Sequence, residues 1–132
     1  MKTENKWKIL VVDDEAEILS MITAKLNRSG FLAQSAGGVT QAKQMLDKNT
    51  FDLILCDYRM PDGNGSDVLK YAGLKTPLLF VSGFTDITLE EAKAQGALDL
   101  LHKPMNFNSL IEKINSVFKE LKPSTKAGSR AQ

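Results

Sequence analysis

Four short stretches of the chain carry side chains that could do chemistry together: Asp13-Asp14, Asp57, Ser82 and Lys103. Each stands at or just past the end of an apolar run. Ile9-Leu10-Val11-Val12 precedes the acidic pair, Leu53-Ile54-Leu55-Cys56 precedes Asp57, Pro77-Leu78-Leu79-Phe80-Val81 precedes Ser82, and Leu98 to Leu101 precedes Lys103. Continuously apolar runs of this kind read as strands buried on both faces of a parallel sheet. The carboxyl ends of such strands share one edge, and ligands bind there near the point where strand order reverses. The four stretches therefore converge on one pocket.

Three carboxylates in one pocket repel. Two unit charges about 5 Å apart at an effective dielectric of about 20 cost roughly 3 kcal/mol. Lys103 offsets one charge and an oxygen-ligated divalent cation offsets two more; few protein ligands and several retained waters are typical of Mg²⁺. Between that cation and the lysine, Asp57 is held ionised and can attack a phosphorus in line. The flanking positive charges then neutralise the oxygens of the transferring phosphoryl group. Ser82 can donate a hydrogen bond to one of those oxygens.

The elements that must position these groups alternate regularly. Five times an apolar run is followed by an amphipathic stretch, the pattern of βα units around a parallel sheet. Asp14 can cap a first helix whose Ile18, Leu19, Ile22 and Leu26 share a face and which ends at Ser29-Gly30. Phe31 to Ala36 predicts a weaker edge strand, and Ala42, Met45 and Leu46 the inner face of a second helix. After the loop 58–65, Ser66 can cap a third helix through Val68, Leu69 and Ala72. Thr88 with Glu91 forms a capping-box pattern for a fourth, which stops at Gly96. Phe107, Leu110, Ile111, Ile114, Val117, Phe118 and Leu121 make one apolar stripe on the last helix, which Pro123 is expected to end.

A chain of 132 residues, 42% hydrophobic, can bury one proper core and is short for two. Residues 1–122 are expected to form the domain, and 123–132, small, polar and basic, a disordered tail or linker stump. Lysine plus arginine number 17 against 16 acidic residues, so no global field favours nucleic acid or an anionic membrane. The lone Cys56, the lack of a long apolar run and the polar start predict a cytoplasmic protein. Cys56 reads as core filler, His102 as a surface or packing residue, and Trp7 as a partly covered edge residue.

Taken in order, Asp13-Asp14, Asp57 with the following Tyr58-Arg59-Met60-Pro61-Asp62-Gly63-Asn64-Gly65, Val81-Ser82-Gly83 and Lys103-Pro104 resemble the receiver domain of two-component response regulators. The resemblance runs from roughly Lys8 to Leu121. It implies a flavodoxin-like (βα)5 fold with a five-stranded parallel sheet in the order 2-1-3-4-5 and helices on both faces. It also implies that Asp57 is the phosphoacceptor, Asp14 a direct Mg²⁺ ligand and Asp13 a partner acting partly through water. The backbone carbonyl of Arg59 completes the protein ligands. Lys103 is then the phosphoryl-binding cation, and Ser82 the hydroxyl that moves toward the phosphate.

The donor implied is a phosphohistidine on a sensor histidine kinase or phosphotransfer protein, and the recipient of the signal a downstream protein or attached output domain. The chain would be a regulatory domain, not an enzyme for an outside substrate, that assists its own phosphoryl transfer and dephosphorylation. It would exist as a monomer or a phosphorylation-dependent dimer. The resemblance further implies a cis Lys103-Pro104 bond and places Arg59 and Phe84 beside the path of the hydrolytic water. In one respect the chain departs from the family. Leu100 stands three residues before Lys103, where many receivers carry a tyrosine or phenylalanine.

Other classes fit less well. Haloacid-dehalogenase-like phosphatases carry their nucleophile on the first strand as D-x-D and usually add a cap domain, whereas residues 13–15 read Asp-Asp-Glu. Neither G-x-G-x-x-G nor G-x-x-x-x-G-K-[ST] occurs to mark a nucleotide site. A docking-only pseudo-receiver would lack one of the key groups.

Overall fold

A computed structural model describes residues 6–83, 86–103 and 106–126. Strand β1 (Lys8–Val12) is followed by helix α1 (Ala16–Arg28), β2 (Leu32–Ala36), α2 (Val39–Lys48) and β3 (Leu53–Asp57). Then come the short strands β4 (Arg59–Met60) and β5 (Gly63–Asn64), α3 (Gly65–Ala72), β6 (Leu78–Ser82), α4 (Leu89–Gln95), β7 (Asp99–His102) and α5 (Phe107–Lys126). The five longer strands pair in parallel in the order β2-β1-β3-β6-β7. Counted without the β4–β5 hairpin, this is the expected 2-1-3-4-5 arrangement.

Side chains alternate across the sheet with the period of two that a pleated strand imposes. Leu10, Val12, Ile54, Cys56, Leu78 and Phe80 join Val39 and Ala42 of α2, Val68 and Leu69 of α3 and Ala92 of α4 in one buried layer. Ile9, Val11, Leu53, Leu55 and Leu79 join Leu26 of α1 and Leu110, Ile114, Val117 and Phe118 of α5 in the other. Central strands β3 and β6 are apolar up to their last residues, Asp57 and Ser82, because both faces are covered. Edge strand β2 exposes Gln34 and Ser35 and accordingly reads weakly. Trp7, just before β1, stacks on Phe118 with centroids 4.2 Å apart.

The structure differs from the sequence-based expectations at three helix ends. Asp14 does not cap α1: Glu15 holds the cap position without a side-chain bond, and Asp13 Oδ1 accepts the Glu15 N–H at 2.9 Å. Nor does Ser66 cap α3. Asn64 Oδ1 accepts the Ser66 N–H, while Asp67 Oδ2 accepts the Asn64 N–H, a reciprocal pair that starts the helix two residues earlier. Finally, α5 continues through Pro123 to Lys126. Proline lacks one donor, but its fixed φ is itself helical, so the helix can lose one bond there and go on.

Candidate functional site

The sheet delivers its chemistry through its registers. Val12 pairs with Cys56, so Asp13 and Asp57, each the next residue, emerge side by side from β1 and β3. Here the chain order turns back, β1 leading outward to β2 and β3 opening the other half of the sheet. Asp57 pairs with Val81, and Ser82 with His102, which brings Ser82 and Lys103 to the same edge. The Lys103 N–H is anchored on the Ser82 carbonyl at 2.8 Å.

Asp13, Asp14 and Asp57 each offer a carboxylate oxygen, and these oxygens lie within 4.8 Å of one another. Lys103 Nζ donates to Asp13 Oδ2 at 3.1 Å and to Asp57 Oδ2 at 3.2 Å. The other Asp57 oxygen, Oδ1, accepts the Tyr58 N–H at 2.8 Å. Asp13 and Asp57 are buried, whereas Asp14 is exposed. Beneath them a cavity of about 320 Å³ opens between α1 and α5, walled by Ile18, Met21, Ile22, Phe107 and Leu110.

These surroundings set the electrostatics. Burial raises the Asp57 carboxyl above its ordinary value; Lys103 and the Tyr58 amide oppose the rise and Asp13 adds to it. Burial pulls the Lys103 ammonium down, but its bonds to Asp13 and Asp57 prevail and hold it above the usual lysine value. Cys56, one residue before Asp57, has its thiol pushed far up, first by burial and then by the charges of Asp57 and Asp13. It donates to the Asp57 carbonyl at 3.2 Å and acts as core filler.

The donor set suits a hard divalent cation: three carboxylates, all oxygen, one of them open to water, with one lysine against two buried charges. Nitrogen and sulfur ligands play no part in this cluster.

The loop after β3 is held tightly to it. Gly65 donates its N–H to the Tyr58 carbonyl, and a Cβ on Gly65 would lie 2.5 Å from the Phe80 ring and 2.9 Å from the Asp57 carbonyl oxygen. Only glycine allows that approach. At the hairpin tip Asp62 accepts the N–H groups of Val39 and Thr40, both at 2.9 Å, tying the loop to the start of α2.

The side chains of two further site residues foreseen from sequence, Ser82 and Arg59, meet on Asp86. The Ser82 hydroxyl, fully buried, donates to Asp86 Oδ2 at 2.9 Å rather than to Asp57. The Arg59 side chain is 72% exposed, and its Nε donates to Asp86 Oδ1, also at 2.9 Å. Asp86 was not singled out from sequence; the one hint is an acidic residue in the loop after β6, opening onto the same sheet edge as Arg59. Arg59 and Ser82 hold its carboxyl below the ordinary value. Phe84 and the Lys103-Pro104 bond lie outside the described residues.

The sequence profile of the response regulator receiver domain matches residues 9–115. The response regulator protein PilR of Pseudomonas aeruginosa is 33% identical over 124 residues, covering 90% of this chain and 28% of that protein. The chain spans about a quarter of the length of the curated relatives it matches. Among solved structures, the receiver domain of the Francisella response regulator 1452 superposes with a TM-score of 0.80 at 29% identity, covering 89% of this chain and 100% of that one. The Thermotoga maritima response regulator TrrA, in complex with Mg²⁺-BeF, shares the fold with a TM-score of 0.74 at 23% identity, over 84% of this chain and 98% of that one.

Proposed function

The chain belongs to the response regulator receiver domain family, the phosphoacceptors of two-component signalling, and from that membership we propose that Asp57 is its phosphoacceptor. One observation carries the assignment. The Asp57 carboxylate lies within 4.8 Å of those of Asp13 and Asp14 and also accepts from the Lys103 ammonium at 3.2 Å. An oxygen nucleophile, a cation site and a fixed positive charge thus meet at one strand end.

In the reaction, an Asp57 carboxylate oxygen attacks the phosphorus of a phosphohistidine. A P–O bond forms, the P–N bond breaks, and the imidazole nitrogen leaves with the electron pair and takes up a proton. Lys103 holds its ammonium where the phosphoryl oxygens gather charge. Mg²⁺ is the cofactor; Asp13, Asp14, Asp57 and the Arg59 carbonyl would hold it, and when bound it supplies further positive charge opposite those oxygens. Ser82 would donate its hydroxyl proton to one of them after transfer. Loss of the phosphoryl group reverses the modification: water attacks phosphorus, the bond to Asp57 breaks, and inorganic phosphate leaves with the carboxylate restored. The same groups would assist that step.

A sensor histidine kinase or a phosphotransfer protein would be the donor, and a downstream protein or attached output domain the reader. The receiver would run through α5, which extends four residues past the expected boundary at 122; residues 127–132 lie outside those described. A cytoplasmic setting would go with the proposed histidine-kinase or phosphotransfer donor. Among the described residues no helix is long and apolar enough to cross a membrane.

Labelling tests the reading. With Mg²⁺ and a small acyl-phosphate donor, mass spectrometry should find one phosphoryl group on the chain, borohydride trapping should map it to Asp57, and Asp57→Asn should abolish it. A stable label on Ser82 or His102, or continuous turnover of a phosphate ester, would overturn the assignment.

A further inference from the structure

The Ser82 hydroxyl has one proton to donate, and Asp86 Oδ2 holds it at 2.9 Å. Ser82 is fully buried, so in this state Asp86 is the partner that satisfies its hydroxyl. The other oxygen of the same carboxylate accepts Arg59 Nε at 2.9 Å. Arg59 follows Asp57 by two positions and Ser82 ends the neighbouring strand β6, so Asp86 grips a residue on either side of the nucleophile. The carboxylate is folded back over the chain: a Cβ on Gly83 would meet Asp86 Oδ2 at 3.2 Å.

We propose that Asp86 is a positioning residue for the phosphoryl chemistry, holding the Ser82 hydroxyl and the Arg59 guanidinium away from Asp57 until a phosphoryl group competes for them. The inference rests on Asp57 being the phosphoacceptor. A hydroxyl cannot donate one proton to two acceptors at full strength, so any bond from Ser82 to a phosphoryl oxygen requires release from Asp86. The anionic phosphoryl group offers Arg59 a competing partner as well. Asp86 therefore sets the energy of the unmodified state against which the modified state is measured.

The experiment is titration of the full chain with beryllofluoride in excess Mg²⁺, following heat by calorimetry. Asp86→Ala leaves the buried Ser82 hydroxyl unsatisfied in the free state and available to the ligand, so affinity should rise about tenfold, the scale of one hydrogen bond to a charged group. Asp86→Asn, which keeps the shape and a neutral acceptor, should fall between Ala and wild type. In a Ser82→Ala background the Asp86→Ala gain should shrink to the part that release of Arg59 contributes, a coupling that loss of stability alone would not produce. Unchanged or weaker binding in Asp86→Ala, or an equal gain without Ser82, would overturn the proposal. Failure of wild type to bind, or binding that survives Asp57→Asn, would instead overturn the site assignment on which it rests.

Discussion

At Asp57 two buried carboxylates share one cation, since Lys103 Nζ reaches both Asp13 and Asp57 and the exposed Asp14 adds a third negative charge nearby. The uncompensated repulsion exists only when β1 and β3 are assembled, so it acts against folding. Removing one charge should therefore help. In metal-free buffer at neutral pH, Asp57→Asn should be more stable than wild type by roughly 1–2 kcal/mol, part of the roughly 3 kcal/mol that one close charge pair costs. That corresponds to a Tm higher by about 3–6 °C for a domain of this size. Saturating Mg²⁺ should raise the wild-type Tm and narrow the gap. Calorimetry with and without Mg²⁺ decides the matter; an Asp57→Asn chain that melts below wild type in metal-free buffer would show that Lys103 already balances the cluster.

The element most dependent on a distant residue is α2. Its cap position is Gly38, which has no side chain to offer, and the carboxylate of Asp62 from the β4–β5 tip accepts the first N–H groups instead. A Cβ on Gly38 would press on Asp62 Oδ1 at 2.8 Å, so the exchange of a local cap for a remote one depends on the small residue. The Thr40 amide and then the Val39 amide hold the Asp62 carboxyl below its ordinary value. A carboxyl depressed in the folded state stabilises above its unfolded pKa, near 3.9, and that contribution is lost as pH falls through the folded value. Asp62→Ala should thus cost about 0.5–1 kcal/mol, with Asp62 exposed and partly screened. The deficit should be constant from about pH 5 to pH 8 and shrink below about pH 4. Paired melts across that range measure it; a deficit that persists unchanged in acid would mean the charge on Asp62 contributes nothing.

Across the whole molecule, a change at the site has unequal routes outward. Leu100 on β7 pairs with Phe80 and is buried in the core layer, but an aliphatic chain has no ring to turn and no hydroxyl to trade. On the other route, Ser82 is tied to Asp86, Ile87 is buried, and α4 begins at Leu89 behind the Thr88–Glu91 capping box. That helix is short and buries only Ala92 among its residues, so little packing resists its displacement. NMR shift changes on adding beryllofluoride and Mg²⁺ should be larger between residues 83 and 95 than along β7. Changes centred on Leu100 and α5, with 83–95 silent, would refute this route.

Local chemistry accounts for the parts of this molecule that could be read from the chain. Apolar runs forced buried parallel strands, and parallel strands necessarily share their carboxyl ends, so Asp13, Asp57, Ser82 and Lys103 were legible as neighbours before any coordinates. The Thr88–Glu91 box and the left-handed Gly96 were likewise visible, because capping partners lie within one turn of each other. Where the partners are far apart in sequence, no period or motif announces them. Arg59 and Asp86 are 27 residues apart, and Val39 and Asp62 are 23 apart. Those pairs exist because packing sets the segment after β3 against both the loop after β6 and the start of α2, bringing polar groups within reach of one another. The same packing fixes the direction of the Ser82 hydroxyl: strand periodicity carries Ser82 to the sheet edge, but a hydroxyl turns toward whichever acceptor the folded chain sets nearest, and here that acceptor is Asp86.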